Sequence, residues 1–420
     1  EFLIFLTILC WYSIWTKDNN EDECINCHKI ISPKIVKEYS ESVHSQVDFA
    51  CINCHYGDNR EKDEKKAHNV KEFKGKFLKK EIINMCNRCH GDLNTMKPYR
   101  LNTNIYNEYL ASQHGKLLIE KDDTKVPVCI DCHGVHRILS RKNSLSPTYK
   151  LNIPSTCARC HSDREYMKEY NIPTNQFDEY SQGIHGKILF GQMKNKNSFL
   201  VPTCVDCHGV HSATPPEVTK VHYICGTCHF DVFQYFKSGI HYDALKTKDS
   251  PKCIDCHSNH LNTLPQEGLL LSNAKGSCSS CHTPEEKDVL ELAIAIQKII
   301  LDSRHSIEIL KQIKNDAFVQ NYKEIIDIVD INLNKSEEHF SQLLKLSHAL
   351  DISLLQEIYK SITTLVNSTV VFKDKFIAKE KQLPHRFLIF LVLLFIIILL
   401  LISLTISLFV VKKIKKKISL

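Results

Sequence analysis

The chain has 420 residues, 43% of them hydrophobic, with 54 Lys and Arg against 48 Asp and Glu for a formal charge of +6. That length has room for two or three domains, and so small a basic excess gives no support for a nucleic-acid partner. The unusual feature is 19 cysteines and 22 histidines beside only 13 glycines.

The chain opens with "EFLIFLTILCWYSIW", in which 14 uncharged residues follow Glu1. The segment lacks a small-residue cleavage site and ends in Trp11, Tyr12 and Trp15, which suit a membrane interface. Residues 1–16 are therefore read as an N-terminal membrane anchor, with a signal remnant as the alternative. Cys10 inside it is the only cysteine outside the motifs that follow.

Those motifs are nine copies of C-x-x-C-H. In chain order they are Cys24, Cys27 and His28; Cys51, Cys54 and His55; Cys86, Cys89 and His90; Cys129, Cys132 and His133; and Cys157, Cys160 and His161. Then come Cys204, Cys207 and His208; Cys225, Cys228 and His229; Cys253, Cys256 and His257; and Cys278, Cys281 and His282. We number them sites 1 to 9. Two thiols two residues apart with a histidine directly after form the attachment signature of c-type haem. The thiols add across the porphyrin vinyl groups, and the imidazole is held under the ring to ligate iron. Zinc ribbons need no histidine after each knuckle, nine two-residue disulfide loops would be strained, and no βαβ pattern accompanies the motifs as a thioredoxin-like site requires. Nine covalent c-type haems are expected.

Nine sites between residues 24 and 282 leave too little peptide for a separate apolar core around each, so the porphyrins must form the core. Their propionates add roughly −18 to the charge, which makes the basic pI a poor guide to partners.

Site 1 stands alone, and four two-site modules follow. They start at Tyr39, Tyr109, Tyr180 and Tyr235, and the middle two read "YLASQHGKL…PVCIDCHGVHRIL" and "YSQGIHGKI…PTCVDCHGVHSAT". Each module has a histidine upstream of its leading motif: His44, His114, His185 and His241. Modules two to four have a second histidine three residues past it: His136, His211 and His260. In module one His68 is the nearest counterpart. Histidines recurring at fixed positions in repeats are read as distal iron ligands, and the one just past a motif is expected to serve a neighbouring haem. Four methionines cannot give general His/Met ligation, so low-potential bis-histidine irons are expected. His305 is the leading candidate for the ninth distal ligand, with His222 next.

Residues 284–384 are read as a helical bundle. Leu292, Ile296, Ile299, Leu310 and Ile313 make one stripe of a long first helix, and two more helices are expected near 320–347 and 351–382, the last capped by Asp351 or Ser353. His305, four residues from Leu301 and Ile309, is expected to face inward. "FLIFLVLLFIIILLLISLTISLFVV" (387–411) is long enough to span a bilayer. The "KKIKKK" after it makes residues 385–420 a transmembrane helix with a basic cytoplasmic tail, with the haem domain (17–283) outside. The fold class is mainly α with much irregular structure: a haem-packed domain, a bundle and a C-terminal span.

The modules "S-x-H-G" and "C-x-D-C-H-G-x-H" resemble those of multihaem c-type cytochromes of anaerobic respiration, in particular periplasmic decahaem conduits and related tetrahaem and octahaem proteins. The N-terminal anchor is similar to that of quinol dehydrogenases feeding periplasmic nitrate and nitrite reductases. Helices and a span after the haems resemble hydroxylamine oxidoreductase-like octahaem enzymes, although no counterpart of their catalytic tyrosine is identified. The resemblance implies electron transfer between the quinone pool (menaquinone as a substrate) or a membrane redox subunit and periplasmic or extracellular redox proteins. The rival reading is a multihaem oxidoreductase for hydroxylamine, nitrite or tetrathionate with one open haem.

Overall fold

The computed structural model describes residues 22–47, 49–193, 196–217, 220–244, 250–262, 278–283 and 285–418. The segment expected to be an N-terminal anchor, with Cys10, lies outside them. Among the described residues there are helices and loops and no strand, as the pattern of short motifs followed by helical periodicity requires.

The chain divides into two compact units. One comprises residues to Val221 with His257–Leu264; the other comprises His222–Cys256 and the chain from Pro265 onward. The first unit is built of short helices. Its apolar clusters are small: Ile82, Ile83, Leu118, Val126 and Val128 form one, and Tyr180, Leu189 and Val201 another.

The second unit contains an extended aliphatic core. Three helices form it: α1 (Lys287–Val319), α2 (Lys323–Leu346) and α3 (Ile352–Ile418). Asp351 caps α3, its Oδ1 accepting from the Ser353 N–H at 2.9 Å, which satisfies a donor the helix start would otherwise orphan. Turns of a few residues join the helices, so neighbours run antiparallel. Leu310, Val329, Leu343, Leu355 and Ile362 are fully buried between them. Asn332 donates to Thr369 Oγ1 at 2.9 Å across the core. This half-buried polar bond favours one register of α2 against α3: a slip would cost the Asn332 amide its partner, while Thr369 Oγ1 keeps its bond to Leu365 O at 2.8 Å.

His305 does not face inward: it is exposed. Ser303, Ser306, Ile307 and Leu310 take the buried face of α1, whereas Leu301 and Ile309, the i±4 neighbours of His305, are only half-buried. The stripe through 301, 305 and 309 is the flank of the helix.

From Phe387 to Val411, α3 is apolar on every side, and its large side chains are exposed all round. A helix apolar around its whole circumference needs an apolar medium. At 25 residues, about 38 Å, it exceeds the hydrocarbon thickness of a bilayer. It is a candidate membrane anchor and the only such helix among the described residues.

Truncating the bundle core should be costly. Leu343→Ala is expected to lose about 2–5 kcal/mol, seen as a lower urea midpoint for the helical signal; an unchanged midpoint would contradict this packing.

Candidate haem-binding site

Each motif lies in or beside a short helical turn, such as Cys129–His133, Cys204–His208 and Cys253–His257. Helical spacing is what the chemistry needs, since residues at i, i+3 and i+4 share one face. The Asp of C-x-D-C-H holds this turn. Asp131 accepts from the Val128 N–H, Asp206 from Thr203 N–H and Asp255 from Lys252 N–H, each at 2.7 Å. Directly after the motif histidine the backbone turns to positive φ, at Gly134 (90°) and Gly209 (89°), and also at Tyr56 and Ser258 in modules one and four. The chain thereby leaves the turn sharply, and Gly is the unstrained choice there.

The upstream histidine sits on a second short helix. In module two this is Gln113–Glu120, capped by Ser112, whose Oγ accepts from Gly115 N–H at 2.9 Å. A Cβ on Gly115 would stand 2.0 Å from the Tyr109 carbonyl oxygen, and one on Gly186 would meet Tyr180 identically. That explains the glycine of "HG". The tyrosine that opens a module ties this helix to the motif: Tyr109 Oη donates to Pro127 O and Tyr180 Oη to Pro202 O, both at 2.9 Å.

Consecutive modules are clasped by a repeated backbone bond. Val43 N–H donates to Ile138 O (2.9 Å), Gln113 N–H to Ala213 O (3.0 Å) and Ile184 N–H to Asn262 O (3.3 Å). In each case the donor immediately precedes an upstream histidine, and the acceptor lies two residues past the second histidine of the next module.

The outcome is a set of imidazole pairs. Ring centroids lie 6.3 Å apart for His28 and His68, 6.1 Å for His44 and His90, and 6.3 Å for His55 and His136. The separations are 6.1 Å for His114 and His161, 6.3 Å for His133 and His211, 6.1 Å for His208 and His260, and 6.4 Å for His241 and His282. Every pair joins one motif histidine to one non-motif histidine. Two imidazoles on opposite sides of one iron, each nitrogen about 2 Å from the metal, have centroids about 6.3 Å apart. Incidental ring contacts scatter over a much wider range.

The ring nitrogens are oriented to match. His55 Nδ1 donates to Lys74 O (2.7 Å) and His208 Nδ1 to Thr214 O (3.1 Å), while His282 Nδ1 meets Glu286 Oε2 (2.9 Å) and His185 Nδ1 meets Asn262 Oδ1 (3.2 Å). Holding Nδ1 leaves Nε2 for a metal and fixes the ring plane. Burial pushes His114 and His133 down to about 4, with His161 and His211 as the next causes. Both are neutral at neutral pH, as a ligand must be.

The thiols of successive sites are neighbours as well. Cys86 bonds to Cys129, Cys157 to Cys204 and Cys225 to Cys253, which lowers the second thiol of each pair. Burial raises the Cys24, Cys54, Cys132 and Cys256 thiols, and Cys51, Cys89, Cys157 and Cys278 respectively lie close enough to add to it. None of the eighteen is in a disulfide. Among the described residues no three His, Cys, Asp or Glu side chains converge as a metal cluster. Paired imidazoles flanked by two thiols fit a c-type haem.

His222 is buried, at 5% exposure, with its ring 4.2 Å from that of Tyr223 and its Nδ1 without a partner. His348 Nδ1 lies against the carbonyls of Leu344 and Lys345, and His339 has a buried Nδ1 without a partner. The clasping backbone bonds and the Tyr–carbonyl ties were not foreseen, although the fixed spacing of Tyr, His and motif signalled them.

Residues 213–283, which include sites 7 to 9, match the family model for cytochrome c7 and related cytochrome c. No solved structure matches the chain. Gly115→Ala is expected to destabilise the holoprotein by about 1–3 kcal/mol, whereas Gly75→Ala, whose Cβ meets only Phe73 at ordinary contact distance, should leave the urea midpoint unchanged; equal effects would contradict the packing. The match over residues 213–283 and the thiol-flanked imidazole pairs support a multihaem c-type cytochrome with covalently bound haem.

Proposed function

We propose that the chain is a membrane-anchored nonahaem cytochrome that carries electrons between the quinone pool, or a membrane redox partner, and periplasmic or extracellular acceptors. Seven imidazole pairs at 6.1–6.4 Å carry this reading. Iron held by two histidines shuttles between ferric and ferrous states without binding substrate.

The pairs define a ligand register. The upstream histidine serves the trailing site of its own module: His44 with His90, His114 with His161, His241 with His282. The second histidine serves the leading site of the previous module: His136 with His55, His211 with His133, His260 with His208. His68 serves His28. We assign the distal ligand of His229 to the set His185, His222 and His305.

Neighbouring imidazoles link the sites further. His28 acts on His136, His90 on His133, and His208 on His161. With the thiol neighbours, this supports relay in chain order among sites 1 to 6 and among sites 7 to 9. Site 1, next to the N-terminal anchor in sequence, is the natural point of exchange with the membrane. The side of the membrane follows from the haem domain, because haem is attached outside the cytoplasm. Lysine and arginine flank the span on both sides, with Lys373, Lys375, Lys379, Lys381 and Arg386 before it and five lysines in the tail, so charge bias alone does not set the direction.

Intact mass should show nine haem additions; seven or fewer, or zinc, would contradict the assignment. The register has its own test. His211→Ala should produce one high-spin iron by electron paramagnetic resonance. That signal should vanish when Cys129 and Cys132 are also replaced by Ser, and persist when Cys204 and Cys207 are. The reverse pattern would show that His211 serves the haem attached beside it. A menaquinol analogue should reduce the purified protein, and nitrite, hydroxylamine and tetrathionate should not turn over; fast turnover of any of them would establish the oxidoreductase instead.

A further inference from the structure

The leading sites of modules one to three are paired with a histidine of the module that follows: His136, His211 and His260. Site 8 is the leading site of module four, and no cysteine comes after Cys281 to build a fifth module. The chain runs instead into the bundle. Something else must stand where a fifth module would bring its histidine.

Two residues before each upstream histidine is a small residue: Ser42, Ser112, Gly183 or Gly239. This position packs on the turn just past the second histidine of the next module. Ser42 Oγ donates to Ile138 O at 3.2 Å, two residues past His136. A Cβ on Gly183 would stand 2.1 Å from Leu261 O and 3.1 Å from His260 O, the carbonyls of module four's second histidine and its successor. In module four the same position is Gly239, two before His241. A Cβ there would stand 3.0 Å from His348 O and 3.0 Å from Ala349 O. Against Gly239, His348 and Ala349 thus take the place that His260 and Leu261 take against Gly183. The backbone agrees one residue further on, where Asn262 and Leu350 both turn to positive φ, at 34° and 57°. Leucine holds that conformation only at a cost, so its surroundings impose it.

His348 is also held as a ligand would be. It lies in the turn Ser347–Ala349 that closes α2, with its Nδ1 3.2 Å from Leu344 O and 3.1 Å from Lys345 O. His55 and His208 present Nδ1 to backbone carbonyls in the same way. Engaging Nδ1 leaves Nε2 for a metal and fixes the ring plane. The helix Phe230–Ser238, which leads into Gly239, secures the turn: Asp231 pairs with Lys345 at 2.8 Å, and Tyr235 joins the bundle core.

We propose that His348 is the distal ligand of site 8, its Nε2 directed to the iron of the haem attached at Cys253 and Cys256. The bundle then stands in for a fifth module and is part of the cytochrome rather than a connector beside it. Haem loading at site 8 and folding of the turn after α2 depend on each other. The inference rests on the bis-histidine haem reading above.

The test uses the full haem-loaded chain. His348→Ala should keep the parent's haem count by intact mass, gain one high-spin iron by electron paramagnetic resonance, and bind one more carbon monoxide per molecule when reduced. Replacing Cys253 and Cys256 by Ser as well should remove the new signal. His348→Met keeps a ligand at the turn, in case truncation unsettles it, and should raise the potential of one haem. An unchanged spin state in His348→Ala, unshifted potentials in His348→Met, or a high-spin signal that survives loss of Cys253 and Cys256 overturns the assignment. A parent chain without bound haem, or without low-spin irons, overturns the haem reading itself, which separates the two failures.

Discussion

Everything in the haem region depends on how one module is joined to the next. The N–H preceding an upstream histidine reaches a carbonyl two residues past the second histidine of the following module. That bond carries the second histidine across the module boundary, to within 6.3 Å of the motif histidines His55 and His133. His55, His133 and His208, the leading motif histidines of modules one to three, each face a histidine of the next module, so those three pairs also join one repeat to the next.

Packing has little else to work with. In the first unit the aliphatic clusters hold a handful of residues, and most of the order comes from caps, turns and tyrosine–carbonyl bonds. This is what a chain must do when a cofactor replaces aliphatic side chains as the interior. The bundle solves the opposite problem. It has no cysteine and no glycine between residues 285 and 382, and it is held by aliphatic layers and a half-buried Asn332–Thr369 bond. The boundary between compact units falls at Val221, inside the cytochrome region, because the helix after site 7 packs on the bundle.

Much of this was legible in the sequence. Nine motifs gave the cofactor class, and the repeat of Tyr, His and motif marked the histidines that the structure brings into pairs. Helical periodicity placed the three bundle helices closely, including Asp351 as a cap. What was not legible depended on distance between segments far apart in the chain. Nothing in "CHGVH" alone says that His211 meets His133, since the partner is fixed by a backbone bond between Gln113 and Ala213. The inward orientation expected of His305 failed for a different reason: i±4 neighbours identify a stripe, but only packing tells the centre of that stripe from its edge.

The central claim is that each non-motif histidine in a pair is the distal ligand of the iron whose motif histidine it faces. A structure of the haem-loaded protein at a resolution that places the irons tests it most directly. The account predicts that the iron of the haem bound to Cys129 and Cys132 lies about 2 Å from a ring nitrogen of both His133 and His211. An iron ligated by His133 and His136, or by His133 alone, would contradict it.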